Sequence, residues 1–265
     1  MRRSRIMGIV NVTPDSFSDG GLFLDPDAAV GHGRELATQG ADVLDVGGES
    51  TRPGAEAVGA EEELARVGPV IEALAGDETP VSIDTSKAAV AEAALAAGAA
   101  MVNDVTALRS DPSIAALCAE RGADLVLMHM RGDPRTMQED PTYHDVVDDV
   151  RAFLEERMAF AVGEGVAEEQ IWLDPGIGFG KTVEHNLELL RRLGELAELG
   201  RPIMVGPSRK SFLGKITGAP VERRLGGTIA SCAIAYANGA QMLRVHDVRE
   251  VAEGMRVAEA ILAAG

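Results

Sequence analysis

Three side chains that can accept hydrogen bonds lie at the ends of short apolar runs in this sequence. Asp84 ends VSID, Asp174 ends IWLD, and Asn103 lies near the end of AMVND. A carboxylate can accept two parallel hydrogen bonds, and an amide both donates and accepts. A single aspartate there can equally be a helix N-cap. Three acceptors around one cavity instead predict a ligand with an edge rich in N–H donors, such as a guanidine-like heterocycle.

A second set of residues can bind an anion. SRK contributes Lys210, RVH contributes Arg244 and His246, and Arg52 lies in an earlier glycine-rich stretch. Arginine binds phosphate through two parallel hydrogen bonds, and histidine adds a donor that can carry charge. The net charge is −17, so local positive charge has to capture an anionic substrate. The same net charge argues against nucleic acid and anionic membranes as partners.

These residues follow predicted β-strands. Eight short apolar runs alternate with longer segments whose apolar residues recur at helical spacing. Nearly continuous apolar runs are typical of parallel strands buried on both faces. The predicted strands are residues 6–10, 42–46, 80–84, 100–104, 124–128, 170–174, 202–206 and 241–245.

Eight β-then-α units in 265 residues, without a linker, predict one domain of the α/β class over residues 1–265. The predicted fold is a single (β/α)8 TIM barrel. A doubly wound open sheet is the alternative, but it would normally have fewer strands and a dinucleotide-binding fingerprint after the first. In a barrel, the carboxyl ends of the strands build the active site. The polar residues therefore predict a small-molecule site at that end.

Two glycine-rich polar stretches are predicted to be mobile loops. TPDSFSDGG follows the first strand, and GGESTRPGAEAVGA follows the second. Loops of this composition commonly close over a bound substrate and exclude water. Phe17, within the first stretch, is placed to cover a flat ring.

GIGFGKT, at residues 176–182, ends like a phosphate-binding P-loop. Pro175 occupies the position of the first glycine in that pattern. Because proline has no N–H and a fixed φ, we interpret the stretch differently. We predict that its glycines let the backbone approach a flat ligand closely.

Cysteine usage and the N-terminus predict a cytoplasmic protein. Cys118 and Cys232 lie in alanine-rich helical segments without metal-ligand spacing, so we expect both to be buried. The apolar run near the start is too short for a signal peptide. No run approaches the ~20 apolar residues of a membrane span.

Eight segments resemble the dihydropteroate synthases, in the order of that family and over nearly the whole chain. The stretch before the first strand is shorter than in many members. The matching segments are MGIVNVTPDSFSDGG (7–21), DVGGESTRPGA (45–55), SIDTSK (82–87), VNDV (102–105), LMHMRGDPRTMQ (127–138), DPGIGFGKTVEHN (174–186), GPSRKSFLG (206–214) and LRVHDV (243–248).

The resemblance implies an enzyme of folate biosynthesis. It would be a transferase that condenses 6-hydroxymethyl-7,8-dihydropterin pyrophosphate with p-aminobenzoate to 7,8-dihydropteroate and pyrophosphate. It implies a Mg²⁺ cofactor, sulfonamides as inhibitors and, we expect, a homodimer. The dihydropterin would delocalise positive charge on its exocyclic methylene, with carboxylates stabilising that cation while the arylamine attacks. No protein nucleophile is needed.

The same resemblance implies a role for individual residues. The implied catalytic residues are Asp84, Asp174 and Lys210. Those binding the pterin are Asp84, Asn103, Met128, Asp174, Phe179 and Lys210. Those binding the pyrophosphate are Asn11, Thr51, Arg52, Arg244 and His246, with Asn11 also the ligand of Mg²⁺. Those lining the aminobenzoate pocket are Phe17, Pro53, Phe179, Lys210 and Ser211.

Two alternatives remain at this stage. A methyltetrahydrofolate-dependent methyltransferase uses a related pterin-binding barrel, but it would not need the STRPG, SRK and RVH segments as a pyrophosphate site. A non-catalytic pterin-binding paralogue is a binding module rather than an enzyme. That alternative would be favoured if a lysine, arginine or loop residue of the implied site were missing, and none is.

Overall fold

The computed structural model describes residues 3–13, 25–50, 54–55, 57–132 and 136–264. Within these ranges, eight parallel strands pair in sequence order, and the last pairs with the first to close a barrel. This confirms the predicted TIM barrel, with every strand within one residue of its predicted bounds. The strands are β1 (Arg5–Asn11), β2 (Val43–Gly47), β3 (Val81–Asp84), β4 (Met101–Asp104), β5 (Asp124–Met128), β6 (Ile171–Asp174), β7 (Ile203–Val205) and β8 (Ala240–Val245).

Helices connect the strands and surround the barrel. In the part of the chain that the structure describes, β6 and β7 are each followed by two α-helices, and each other strand by one. No helix within the described ranges combines the length and apolar character that crossing a membrane requires. The helices are α1 (Pro26–Gln39), α2 (Ala60–Leu74), α3 (Ala88–Ala96), α4 (Ile114–Arg121), α5 (Val146–Gly163), α6 (Val183–Arg191), α7 (Leu193–Ala197), α8 (Ser211–Thr217), α9 (Leu225–Ala237) and α10 (Val248–Ala263).

Local signals in the sequence set where several helices begin and end. Asp25 caps α1 and Asp145 caps α5, because each carboxylate accepts hydrogen bonds from the first-turn N–H groups. Glycines with left-handed backbone conformation follow several helices, as at Gly40 after α1, where φ is 107°. Apolar residues recur at helical spacing over residues 184–200, but the structure has two helices there, α6 and α7. The break lies at Arg192, whose guanidinium binds carboxylates on both sides of it.

Side chains along each strand alternate between two environments, as the two-residue period of a strand requires. Outward-facing residues such as Leu44 and Ile83 pack against the helices. Inward-facing residues near the amino ends form a separate apolar layer that fills the lower barrel. Its members are Met7, Val43, Met101, Val126, Trp172, Met204 and Met242.

On four of these strands the next inward-facing residue is polar or charged. Two residues beyond Val43, Met101, Trp172 and Met242 come Asp45, Asn103, Asp174 and Arg244. Asp45, Asn103 and Asp174 are buried. Polar side chains stacked on a filled apolar layer mark the carboxyl end of the barrel as the place for a site.

Candidate active site

Two cavities open at the carboxyl end of the barrel. The wide cavity has a volume of about 340 Å³, and the deep pocket beneath it about 20 Å³. Asn11, Glu49, Ser208, Ser211 and His246 line only the wide cavity, whereas Asn103, Met128 and Asp174 line only the deep pocket. The residues that line both are Asp84, Phe179, Gly206, Lys210 and Arg244.

The deep pocket is rich in hydrogen-bond acceptors. Asp174 is 4% exposed, and its Oδ1 accepts a hydrogen bond from the Gly176 N–H at 2.7 Å. Burial raises the pKa of Asp174 to about 6, although the Gly176 N–H and the ammonium group of Lys210 oppose this shift. The side-chain oxygen of Asn103 is buried without a partner among the described residues. An incoming ligand with N–H donors would satisfy both groups.

Arg244 lies between two carboxylates at the junction of the cavities. Its Nε donates to Asp45 Oδ2 at 2.6 Å, and its Nη2 donates to Asp84 Oδ2 at 2.7 Å. Burial raises the pKa of Asp84 to about 7, and the nearby charge of Asp45 adds to the rise while Arg244 opposes it. Two carboxylates and one guanidinium therefore form a buried ionic cluster directly below the wide cavity.

A strained residue directs Lys210 and Ser208 toward the wide cavity. Arg209 stands between them with a φ of 57°, which is unfavourable for a residue with a side chain. Its N–H donates to Thr228 Oγ1 at 3.1 Å, and its guanidinium binds both oxygens of Asp247 at 3.0 and 2.6 Å. These contacts hold the turn after β7 against the end of β8.

The ends of β7 and β8 also meet through a hydroxyl group. The His246 N–H donates to Ser208 Oγ at 3.2 Å, and the same oxygen lies 3.0 Å from His246 Nδ1. Ser208 thereby fixes the orientation of the imidazole ring. Nearby, Lys210 Nζ lies 3.9 Å from the ring centroid of Phe179, as a cation–π contact.

The turn between β6 and α6 forms the rear wall of the deep pocket. Lys181, buried at 3% exposure, donates to Phe179 O at 3.0 Å and lies 2.9 Å from His129 Nδ1. Burial lowers the pKa of Lys181 to about 7, although Asp174 opposes this shift.

The backbone of the same turn packs closely against the end of β5. A Cβ on Gly176 would lie 1.9 Å from His129 O. Neighbouring protein atoms therefore require a glycine there, and Gly176 also lines the deep pocket. Our expectation that these glycines let the backbone approach a flat ligand stays a prediction.

Another ionic cluster anchors the segment after β2. Lys87 Nζ donates to Glu49 and to Glu63, and Glu63 is fully buried. The other oxygen of Glu49 accepts from the Val58 N–H at 3.1 Å. The Glu49 carboxylate therefore links both ends of this segment to Lys87 at the start of α3, and Lys87 in turn contacts Glu63 of α2.

The structure brings most of the predicted site residues together. Four predicted residues lie outside the described ranges: Phe17, Thr51, Arg52 and Pro53. Of the two stretches predicted to be mobile loops, residues 14–21 of the first and residues 51–53 and 56 of the second lie outside the described ranges. The predicted residues that line one or both cavities are Asn11, Asp84, Asn103, Met128, Asp174, Phe179, Lys210, Ser211, Arg244 and His246.

Sequence reasoning missed residues that hold the site together. Asp45 contacts both Asn103 and Arg244, yet it stands in mid-strand rather than at a strand end. A charge inside an otherwise apolar strand was the available signal. Of the four lysines in the sequence, at positions 87, 181, 210 and 215, Lys210 alone lines one of the two cavities, and Lys215 lies within helix α8.

Comparison with known proteins identifies relatives over the full length of the chain. The family model described as "Pterin binding enzyme" matches residues 7–246. The dihydropteroate synthase of Synechocystis sp. is 49% identical, covering 98% of this chain and 91% of the relative.

Solved structures agree with this match. The Yersinia pestis dihydropteroate synthase with a sulfonamide drug is 45% identical, with a TM-score of 0.95, covering 98% of this chain and 95% of the other. The Xanthomonas albilineans enzyme in complex with 7,8-dihydropteroate is 46% identical, with a TM-score of 0.88, and the coverages are 98% and 94%. The barrel, its acceptor-rich pocket and these matches lead to one conclusion: the chain belongs to the dihydropteroate synthase family of pterin-binding enzymes.

Proposed function

We propose that this chain condenses 6-hydroxymethyl-7,8-dihydropterin pyrophosphate with p-aminobenzoate, giving 7,8-dihydropteroate and pyrophosphate. Besides family membership, one structural observation supports the proposal. A deep pocket lined by acceptors opens directly into a wide cavity lined by cationic donors, and Asp84, Lys210 and Arg244 line both. A substrate with a donor-rich ring at one end and a pyrophosphate at the other matches this division.

The pterin ring would place its donor-bearing edge in the deep pocket. At about 20 Å³ this pocket is too small for the whole ring, so the rest of the ring would lie in the adjoining wide cavity. Its amine and ring N–H donors match the carboxylate of Asp174 and the unpartnered oxygen of Asn103. Met128 and Phe179 supply the apolar faces for a flat ring, since both are buried and line the pocket. Leaving one such polar group unpaired costs about 1–3 kcal/mol, so the wrong heterocycle would bind weakly.

The pyrophosphate would lie in the wide cavity. Two N–H groups of Arg244 bind carboxylates, and a guanidinium has five, so the others can bind phosphate oxygens. His246, oriented by Ser208, adds a further donor. These donors stabilise the charge that develops on the leaving group as the bond to the methylene carbon breaks.

The residues present fit a magnesium ion that relies on the substrate for most of its ligands. Within the described ranges, no group of three or more His, Cys, Asp or Glu side chains could hold a metal alone. Asn11 lines the wide cavity and offers an amide oxygen, and Mg²⁺ commonly takes one or two protein oxygens together with substrate phosphates. When bound, Mg²⁺ would neutralise charge on the departing pyrophosphate.

The carboxylates Asp84 and Asp174 would stabilise the cationic dihydropterin while the amine of p-aminobenzoate attacks its methylene carbon. Lys210, Phe179 and Ser211 border the space from which this attack would come. A protein nucleophile is not required. Both cysteines are buried, and burial raises the pKa of each thiol to about 12, so neither is suited to be one.

The test is to incubate the purified chain with both substrates and Mg²⁺ and to measure dihydropteroate and pyrophosphate. Reactions that lack either substrate are the controls. We expect both products in equal amounts and competitive inhibition by a sulfonamide against p-aminobenzoate. Binding of the pterin without turnover would instead identify a non-catalytic pterin-binding protein and contradict the proposal.

We further propose that the enzyme is a homodimer. Four large apolar side chains are exposed on two helices that pack against each other: Ile234 of α9 is 52% exposed, and Val257, Ile261 and Leu262 of α10 are 60%, 68% and 40% exposed. Exposed apolar residues on neighbouring helices can form a protein–protein interface. Light scattering should give twice the chain mass, and Ile261→Glu should give monomers. A monomeric wild type would contradict the proposal.

We also propose that the enzyme acts in the cytoplasm. Its two cysteines are unpaired thiols, as is usual for proteins of a reducing compartment. Detection of the chain in the cytosolic fraction of its host would support this, and detection in an exported fraction would contradict it.

A further inference from the structure

Asp45 holds two residues of the proposed pterin site at once. It is fully buried in the middle of β2. Its Oδ2 accepts from Asn103 Nδ2 at 2.9 Å and from Arg244 Nε at 2.6 Å. Asp45 lines neither cavity, so it acts on a ligand only through these two neighbours.

The first contact decides which way the Asn103 amide points. An ionised carboxylate, held here against a guanidinium, can only accept hydrogen bonds. The amide must therefore turn its NH₂ group toward Asp45, which leaves its oxygen on the other side. That oxygen is buried without a partner among the described residues, and Asn103 lines the deep pocket. The pocket thus presents an acceptor at this position rather than a donor.

The second contact limits where Arg244 can go. With Nε bound to Asp45 and Nη2 bound to Asp84, the guanidinium is held at the junction of the two cavities. A single carboxylate therefore links an acceptor that faces the deep pocket to a donor that faces the wide cavity. This linkage crosses the barrel interior from β2 to β4 and β8.

We propose that Asp45 is a positioning residue that sets the hydrogen-bonding polarity of the pterin pocket. By fixing the Asn103 amide, it selects ligands that bring an N–H donor to that position and disfavours those that bring an acceptor. The inference rests on the proposed function, since it names the residue that gives the same site its selectivity.

The test exchanges the two interacting groups. Asp45→Asn offers Asn103 a donor as well as an acceptor, so the amide is free to reverse. The double variant Asp45→Asn, Asn103→Asp swaps the pair, keeps the net charge and again presents a carboxylate oxygen to the pocket. The matched control is Asp42→Asn, the same change three positions earlier, where the carboxylate binds the Ile6 N–H and Arg3 at the other end of the barrel.

Calorimetry with 6-hydroxymethylpterin gives the readout. We expect Asp45→Asn to bind it roughly tenfold or more weakly, in line with an unpaired buried group. The swapped variant should recover most of that affinity, and Asp42→Asn should match the wild type. The KM for p-aminobenzoate at saturating pterin pyrophosphate should stay within about twofold, which a general loss of structure would not allow.

Several outcomes would overturn the inference. Wild-type affinity in Asp45→Asn would show that the amide orientation does not depend on Asp45. Failure of the swapped variant to recover affinity would reduce Asp45 to a counter-ion for Arg244. If Asp45→Asn does not fold, the swapped variant decides alone by the same criterion. A wild type that binds no pterin would contradict the proposed function itself and the inference with it.

Discussion

At the scale of single residues, Lys210 is central to the proposed reaction, because it borders both cavities and its ammonium group lies over Phe179. Lys210→Met keeps the apolar stem and removes the charge. We expect a loss of at least about 100-fold in kcat/KM, as when one electrostatic donor is removed from an active site. The melting temperature should hardly change.

Lys215→Met is the matched control, since Lys215 lies exposed on α8 only five residues away. Its activity should equal that of the wild type. Turnover of Lys210→Met near the wild-type rate would mean that the role assigned to Lys210 is wrong.

Asp174→Asn should weaken pterin binding far more than aminobenzoate binding. The change replaces a group that only accepts with one that presents a donor to a donor-rich edge, and the mispairing costs about 1–3 kcal/mol. Calorimetry with 6-hydroxymethylpterin measures the loss. Unchanged affinity would leave Asp174 only its bond to the Gly176 N–H, as a cap of the turn.

The pKa of Asp174, raised to about 6 by burial, predicts a pH dependence of pterin binding. Above pH 6 the carboxylate is ionised and accepts, whereas below pH 6 it is protonated and presents an O–H to the donor edge. Affinity should therefore fall as the pH drops from 7 to 5. In Asp174→Asn, the fall in pterin affinity caused by Asp174 should disappear, and any fall caused by protonation of Asp84 should remain. A wild-type profile that is flat over this range would contradict the assignment.

At the scale of secondary-structure elements, the turn between β6 and α6 depends on how closely it packs against the end of β5. Gly176→Ala would place a methyl group 1.9 Å from His129 O, so the turn has to move. The matched control is Gly218→Ala, which has a similar φ, 71° against 68°, but nothing within 4 Å of the added carbon. We expect the control to lose only the roughly 1–2 kcal/mol of a left-handed alanine.

Thermal melting and pterin calorimetry on both variants separate the strain of a left-handed alanine from the collision with His129 O. Gly176→Ala should be clearly less stable than Gly218→Ala and should bind the pterin more weakly, because Ile177 and Phe179 of the same turn line the pocket. Equal melting temperatures and equal pterin affinities of the two variants would show that the turn tolerates the displacement.

Much of this architecture was predictable from the sequence, for physical reasons that differ from residue to residue. The eight apolar runs located the strands because both faces of a barrel strand are buried. Asp84 and Asp174 were found because each ends such a run. Asp45 was missed because its partners, Asn103 and Arg244, lie 58 and 199 residues away. Only closure of the barrel brings them together. The charge inside an apolar strand marks Asp45 as unusual, but no local pattern identifies its two partners.

The same limit explains the break at Arg192. The apolar spacing over residues 184–200 is helical throughout, but Arg192 forms ion pairs with Asp145 at the start of α5 as well as with Glu188 and Glu195. The ion pair with Asp145 joins residues 47 positions apart, and the spacing of apolar residues along one segment carries no information about such a contact.

At the scale of the whole molecule, we expect p-aminobenzoate to bind only after the pterin pyrophosphate, or after pyrophosphate with Mg²⁺. The stretches TPDSFSDGG and GGESTRPGA are rich in glycine and poor in apolar residues, so ordering them carries a conformational entropy cost. An anion that engages Thr51 and Arg52 would offset this cost. The net charge of −17 also disfavours the aminobenzoate carboxylate in the free protein.

Titration of p-aminobenzoate into the protein alone, and into the protein with pyrophosphate and Mg²⁺, tests this order of binding. Measurable affinity should appear only in the second titration. Equal affinity in both would show that the pocket exists before any anion binds.

The most direct test of the central claim is a single-turnover reaction with both substrates and Mg²⁺, in which the oxygen that bridges the pterin methylene to the pyrophosphate is labelled with ¹⁸O. If the two cavities work as one condensing site, dihydropteroate and pyrophosphate form one to one. All of the label then leaves with the pyrophosphate, because the carbon–oxygen bond breaks as the amine attacks. Formation of no dihydropteroate, or loss of the label from the pyrophosphate, would contradict the account.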